Sequence, residues 1–422
     1  MIILFFVLIV LLFLLGVPLG FTIGLSSMVY IILADINPMI IIQQLFTGVN
    51  NSALMAIPFF ILAGNLMLTG GLAQRIINLA NSLIGRTTGG LAMVTILGCV
   101  FFAAISGSAV ATAAALSSLM IPAMVNKGYD KDFAASVVST ASPLGAIIPP
   151  SITLIVYGSL SGSSISDLYT AGIPAGIIVG GVMLGGVYLI SRKRGYKGSG
   201  KPFEIKDFGK ALVNAFWALG TPIILIGGVF LGIFTPTESG VVAVVYAVII
   251  GMFVYRELKF KELGTVIFNS AKTTATIMFI IANAYLLAYV LAYENIPSMI
   301  VSGFMNISDS ALITLLIINL ILLVFGMFVD TIAIIVIVVP MFLPVIETMG
   351  IDPVYFGVLV IVNTAIGMCT PPFGQTLLVT TDIVKVPLLK VSYQSMYLIL
   401  ALLIALVLMV LFPYIVMFPL WL

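Results

Sequence analysis

The feature that most constrains this chain is the rarity of charge along it. Only 8% of its 422 residues are Asp, Glu, Lys or Arg, against 62% apolar. Long charge-free stretches of this kind are read as membrane-spanning helices, because a helix pairs its own backbone polar groups where no water is available. Cutting the chain at its polar breaks gives apolar segments at 2–33, 52–68, 91–125, 133–160, 172–190, 211–234, 239–255, 273–293, 310–345, 353–380 and 391–418. Segments 91–125 and 310–345 are too long for one span of about 20 residues and slightly short for two with a turn.

The sign of the flanking charges decides how to count them. Basic residues fall at Arg75 and Arg86, Lys127 and Lys131, from Arg192 to Lys210, from Arg256 to Lys272, and at Lys385 and Lys390. If both awkward segments enter and leave on one side, all these groups share a face, cytoplasmic by the positive-inside rule. The other face carries Asp35, Asp167, Glu294, Asp309, Glu347 and Asp352. Segments 91–125 and 310–345 are therefore re-entrant hairpins. This count places the N-terminus in the cytoplasm and the C-terminus in the periplasm. Met1 lacks a basic leader or cleavage pattern ahead of the apolar run, so 2–33 reads as a retained first span. Residues 256–272 are expected as an interfacial amphipathic helix.

The halves repeat. A shift of 222 positions pairs Pro122 with Pro344, Gly128 with Gly350, Asp130 with Asp352, Gly145 with Gly367, and Pro149-Pro150 with Pro371-Pro372. A shift of 216 pairs Gly16, Gly24 and Tyr30 with Gly232, Gly240 and Tyr246. Since the first hairpin opens to the cytoplasm and the second to the periplasm, the repeats are inverted, an architecture of secondary transporters. The expected fold is an all-α polytopic membrane protein. A first repeat (1–190) and a second (211–422, with one added span) flank a basic linker at 191–210. Each repeat has a re-entrant hairpin (91–125, 310–345) and a discontinuous helix (133–160, 353–380).

Polar clusters lie where lipid-facing sequence would not put them: Ser106, Ser108 and Thr112 in hairpin one, Gly326 to Thr331 in hairpin two, and the breaks 141–150 and 363–372. A Pro-Pro pair removes two backbone donors and frees carbonyls, while glycine lets the chain unwind. Freed carbonyls and hydroxyls suit an alkali cation, and exposed helix N-termini suit a carboxylate. Simple helix kinking and local back-bonding is the plain alternative. Asp330 is the single carboxylate placed near mid-membrane; binding a cation, orienting the tip and carrying a proton all remain open roles. Glu238 reads equally as a helix cap or a functional acid. No Lys or Arg falls at mid-depth, so an anionic substrate would rest on helix N-termini, hydroxyls, amides such as Gln375, and bound cations. The chain has no His, which removes the commonest general base and metal ligand and weakens an intramembrane-enzyme reading. Cys99 and Cys369, both in apolar segments, read as buried free thiols.

At FFAAISGSAVATAAALSSLMIPAM, LGAIIPPS, GIFTPTESG, GMFVDT and IGMCTPPFG, the sequence resembles the large membrane subunit of tripartite ATP-independent periplasmic (TRAP) transporters. The resemblance implies a non-enzymatic elevator-type transporter of the inner membrane that is coupled to Na+. It also implies a small four-helix membrane subunit, expected as a separate polypeptide, and a periplasmic substrate-binding protein that delivers a carboxylate such as a C4-dicarboxylate or sialic acid. Carried over by motif, one sodium site would use Ser106, Ser108, Gly145, Ile148 and Pro150, and the other Gly326, Asp330, Gly367 and Thr370. Substrate contacts are expected from Ser108, Thr112, Asp330, Thr331 and Gln375. The lipid bilayer is the remaining partner, and no nucleic acid is expected. A stand-alone sodium–dicarboxylate symporter is the nearest rival, and a channel a further one.

Cysteines introduced at Lys127 and Glu347 are expected to be labelled from opposite faces of the membrane. Labelling of both from one face overturns the inverted arrangement.

Overall fold

A computed structural model describes residues 1–196, 198 and 204–421. Every regular element among them is helical. Seven helices among the described residues are long and apolar enough to cross a membrane, and a bent pair makes an eighth.

Both hairpins are present. Gly90–Ser106 and Ala109–Val125 (17 residues each) turn at Gly107 and Ser108. Ala311–Gly326 (16 residues) and Thr331–Thr348 (18 residues) turn at 327–330. At 1.5 Å per residue the arms are about 24–27 Å long, short of the roughly 30 Å hydrocarbon core; Thr331–Thr348 is the longest of the four. The first discontinuous helix runs through Lys131–Ile147, breaks at 148–151, and resumes as Ile152–Ser161 with a 42° bend. The second comprises Pro353–Gly367 and Gln375–Val384. Every residue from 133 to 158 and from 355 to 370 is buried. Irregular backbone at membrane depth is tolerated only under such cover.

These elements pack with Ile165–Arg194 and Leu388–Leu411 into one bundle. A second group forms a frame around it. In the frame Phe260–Tyr293 packs against Leu19–Leu33, Met39–Val49 and Ala56–Thr69, the last of which also packs on Pro236–Ile249. Small residues let the helices close up: a Cβ at Gly24 would sit 2.1 Å from the Asn283 amide oxygen.

Three expectations change. Segment 2–33 is two antiparallel helices, Ile2–Leu14 and Leu19–Leu33, reversed at Gly16 with φ +77°. The Phe5 ring lies 5.7 Å from that of Tyr30, and Met1 and Leu4 share a crevice with Val29 and Leu33. The turn Gly16-Val17-Pro18 carries no charge, so hydropathy merged two helices into one. In the second half the matched Gly232 (φ +67°) separates Ile205–Phe230 from Pro236–Val254. The N-terminus thus shares an end of the molecule with Asp35, and a cytoplasmic N-terminus is incompatible with a periplasmic Asp35. Secondly, residues 260–272 are no separate interfacial helix but the start of the continuous 34-residue Phe260–Tyr293; no Gly or Pro from 265 to 293 interrupts it. Thirdly, the linker 191–210 shortens at both ends, since helices extend to Arg194 and restart at Ile205. Its residues 197 and 199–203 lie outside the described residues.

Cysteines placed at Ile3 and Asn37 are expected to react with an impermeant reagent from the same side. Labelling from opposite sides would contradict the N-terminal hairpin.

Candidate substrate and ion site

Each hairpin turns at a helix start capped by its own side chain. Ser108 follows Gly107 (φ +59°) and caps Ala109–Val125, accepting from the Ala111 N–H at 3.4 Å. Asp330 caps Thr331–Thr348, accepting from the Ile332 N–H at 3.0 Å. One backbone bond ties each tip to a helix break. The Ile152 N–H donates to the Gly107 carbonyl at 3.3 Å, and the Gly374 N–H to the Met327 carbonyl at 3.1 Å.

A cavity of about 160 Å³ lies where these parts meet. Residues 108–111, 330–332 and 152–153 bring three helix N-termini to its wall. First-turn N–H groups and the positive ends of three helix dipoles favour an anion, and no Lys or Arg stands among the described residues lining it.

Ser106, Ser108, Asp330 and Thr331 are at this wall. Thr112 is not. Its hydroxyl donates to the Ser108 carbonyl at 2.8 Å and stands 3.0 Å from the Ser106 hydroxyl, bracing the tip from behind. Gly145 packs under the same tip, where a Cβ would sit 2.6 Å from the Ser108 carbonyl oxygen. The Pro150 carbonyl closes on Gly107, and a Cβ there would sit 2.8 Å from it. Ile148 belongs to this break, but its side chain packs on Gly176. In the second half Gly326 and Gly367 cross backbone to backbone. Thr370 is buried and donates to the Ile366 carbonyl at 2.7 Å. Gln375 is only partly buried and lies off the wall; Met368 is what this break presents to the cavity.

Three polar wall residues were not singled out from the sequence: Asn65, Thr153 and Thr273. Asn65 could have been found as the lone amide inside segment 52–68 after Ser52. Thr273 adjoins Lys272 and reads as the end of a span. The two readings of Glu238 resolve toward capping: its carboxylate accepts from the Thr235 N–H at 2.8 Å while Thr235 Oγ1 accepts from the Glu238 N–H at 3.3 Å.

Paired hairpins and broken helices around a polar cavity are an architecture found in secondary transporters. Residues 5–415 match the family profile described as "Tripartite ATP-independent periplasmic transporter, DctM component", and the chain belongs to that family, one of permeases and not of enzymes. It is 36% identical over 402 residues to the C4-dicarboxylate TRAP transporter large permease protein DctM of Rhodobacter capsulatus, covering 92% of this chain and 91% of that one. Over 399 residues it is 37% identical to the sialic acid TRAP transporter large permease protein SiaM of Vibrio cholerae serotype O1, covering 94% and 93%. It is 40% identical over 378 residues to the isethionate TRAP transporter permease protein DctMQ of Oleidesulfovibrio alaskensis, matching 89% of this chain but spanning only 60% of that longer protein. The YdaH transporter of Alcanivorax borkumensis shares the fold, with a TM-score of 0.62, 14% identity and coverage of 88% and 87%.

Gly367→Ala is expected to destabilise the purified protein by about 1–3 kcal/mol through overpacking, because the new Cβ would lie 2.5 Å from the Gly326 Cα. Gly181→Ala, with nothing within 4 Å, should leave the thermal midpoint unchanged. Equal midpoints for both variants would refute the tight crossing.

Proposed function

We propose that this chain is the large permease of a sodium-coupled importer of a carboxylate, a C4-dicarboxylate, sialic acid or a related acid, handed over by a periplasmic binding protein. The observation that carries the reading is the cavity bounded by both hairpin tips and by residues of both helix breaks. Three helix N-termini there offer binding to a carboxylate without a fixed cation. Sodium would be held by oxygen ligands beside the cavity: hydroxyls of Ser106 and Ser108 with backbone oxygens of Gly145, Ile148 and Pro150 for one ion, and Asp330 and Thr370 with backbone oxygens of Gly326 and Gly367 for the other. Bound sodium would neutralise the acid's charge at membrane depth.

The bundle moves against the frame in an elevator cycle. Support comes from where the tip of hairpin one rests. It touches the frame at Gly64, where a Cβ would sit 3.0 Å from the Ile105 carbonyl oxygen, close to the basic end of Ala56–Thr69. With the basic face inside, the N-terminus stands in the periplasm beside Asp35. A small membrane subunit completes the assembly in the inner membrane.

Proteoliposomes holding this chain and its small subunit are expected to take up the acid only with a sodium gradient and loaded binding protein outside. Robust uptake by this chain alone would defeat the tripartite reading. Ser108→Ala and Asp330→Ala should each weaken activation by sodium while expression holds; unaltered activation curves in both would remove the ion sites.

A further inference from the structure

The wall of the cavity is not built from the bundle alone. The frame contributes Ile61, Asn65 and Leu68 from one helix and Thr273 and Ile277 from another. In each helix these residues continue a stripe at three- and four-residue spacing, which is one face. On Ala56–Thr69 the stripe runs Ile57, Ile61, Asn65, Leu68. On Phe260–Tyr293 it runs Ser270, Thr273, Ile277, Ile281, Ala284. Polarity is confined to the basic end of both. Beyond Asn65 and Thr273 the stripe is buried and apolar, with Ile57, Ile281 and Ala284 fully inaccessible and Ile61 and Ile277 at 7% exposure. The Asn65 amide donates to the Ser270 hydroxyl at 2.8 Å, which in turn donates to the Val266 carbonyl at 2.8 Å. This chain of bonds fixes the amide at the cavity wall.

We propose that Asn65, oriented by Ser270 and assisted by Thr273, is a frame-borne specificity residue that hydrogen-bonds the far end of the carboxylate substrate only when the bundle stands at the basic end. The proposal rests on the moving-bundle reading above. When the bundle travels toward the acidic face, the site leaves these polar groups and slides along the isoleucine wall, which offers the substrate no hydrogen bond and excludes water. Asn65 therefore acts on one side of the cycle.

The test uses the complete transporter in proteoliposomes, loaded binding protein outside, and radiolabelled succinate or N-acetylneuraminate, whichever the wild type imports. Initial uptake is measured against increasing lumenal concentration of the same acid. Asn65→Leu should raise the half-inhibitory lumenal concentration about tenfold, the loss of roughly one hydrogen bond to a charged group. The external concentration of loaded binding protein giving half-maximal uptake should stay unchanged. Thr273→Val, an isosteric change at an exposed position, should shift the lumenal value the same way by a smaller factor, and it carries the test alone if Asn65→Leu does not fold. Unchanged lumenal inhibition, or an equal shift on both sides, overturns the proposal. Absence of sodium-driven uptake in the wild type would instead overturn the transport reading, and this proposal with it.

Discussion

The structure depends on one constraint: a backbone N–H or carbonyl left unpaired in hydrocarbon costs several kcal/mol. Each helix break in this chain opens such groups, and each is answered within the protein. The Ile152 N–H finds the Gly107 carbonyl and the Gly374 N–H finds the Met327 carbonyl. Ser151 and Thr153 hydroxyls turn to the Ala146 carbonyl. Because the answer to each break is the tip of a hairpin, tips and breaks have to lie together, and the polar cavity follows from that pairing.

Burial follows from the same constraint. The stretch from 133 to 158 is buried along its whole length, so its helix has no lipid face, and its sequence carries no charge on any side, as suits a buried core element. The lipid contacts are left to the surrounding helices, whose outer faces expose residues such as Ile177, Leu189, Leu400 and Ile404. Glycine sets how closely bundle and frame approach. Gly64 lies against hairpin one, while Gly326 and Gly367 bring the second hairpin onto its broken helix. A Cβ at Gly64, 3.0 Å from the Ile105 carbonyl oxygen, or at Gly367, 2.5 Å from the Gly326 Cα, would force the adjoining hairpin to shift.

The fold tolerates wide sequence change. YdaH shares it at 14% identity, whereas permeases named for C4-dicarboxylate, sialic acid and isethionate lie at 35–40% identity to this chain. A cavity walled by helix N-termini favours an anion through backbone N–H groups and helix dipoles, which read charge and not the rest of a solute.

The sequence by itself determined the helical class, the two hairpins and the two breaks, because Pro-Pro pairs, glycines and the sign of loop charges act locally and leave a one-dimensional record. Four of the residues it singles out, Ser106, Ser108, Asp330 and Thr331, come together at the cavity wall. It could not separate Ile2–Leu14 from Leu19–Leu33, since an uncharged turn leaves no hydropathy minimum, although the match of Gly16 with Gly232 carried that information. Only the tertiary structure decided that Thr112 braces the tip, that Met368 and not Gln375 faces the cavity, and that Asn65 and Thr273 join the wall. The place of Asn65 depends on which face of one helix meets another, set by packing against Ser270, 205 positions away, a distance over which local pattern has no reach.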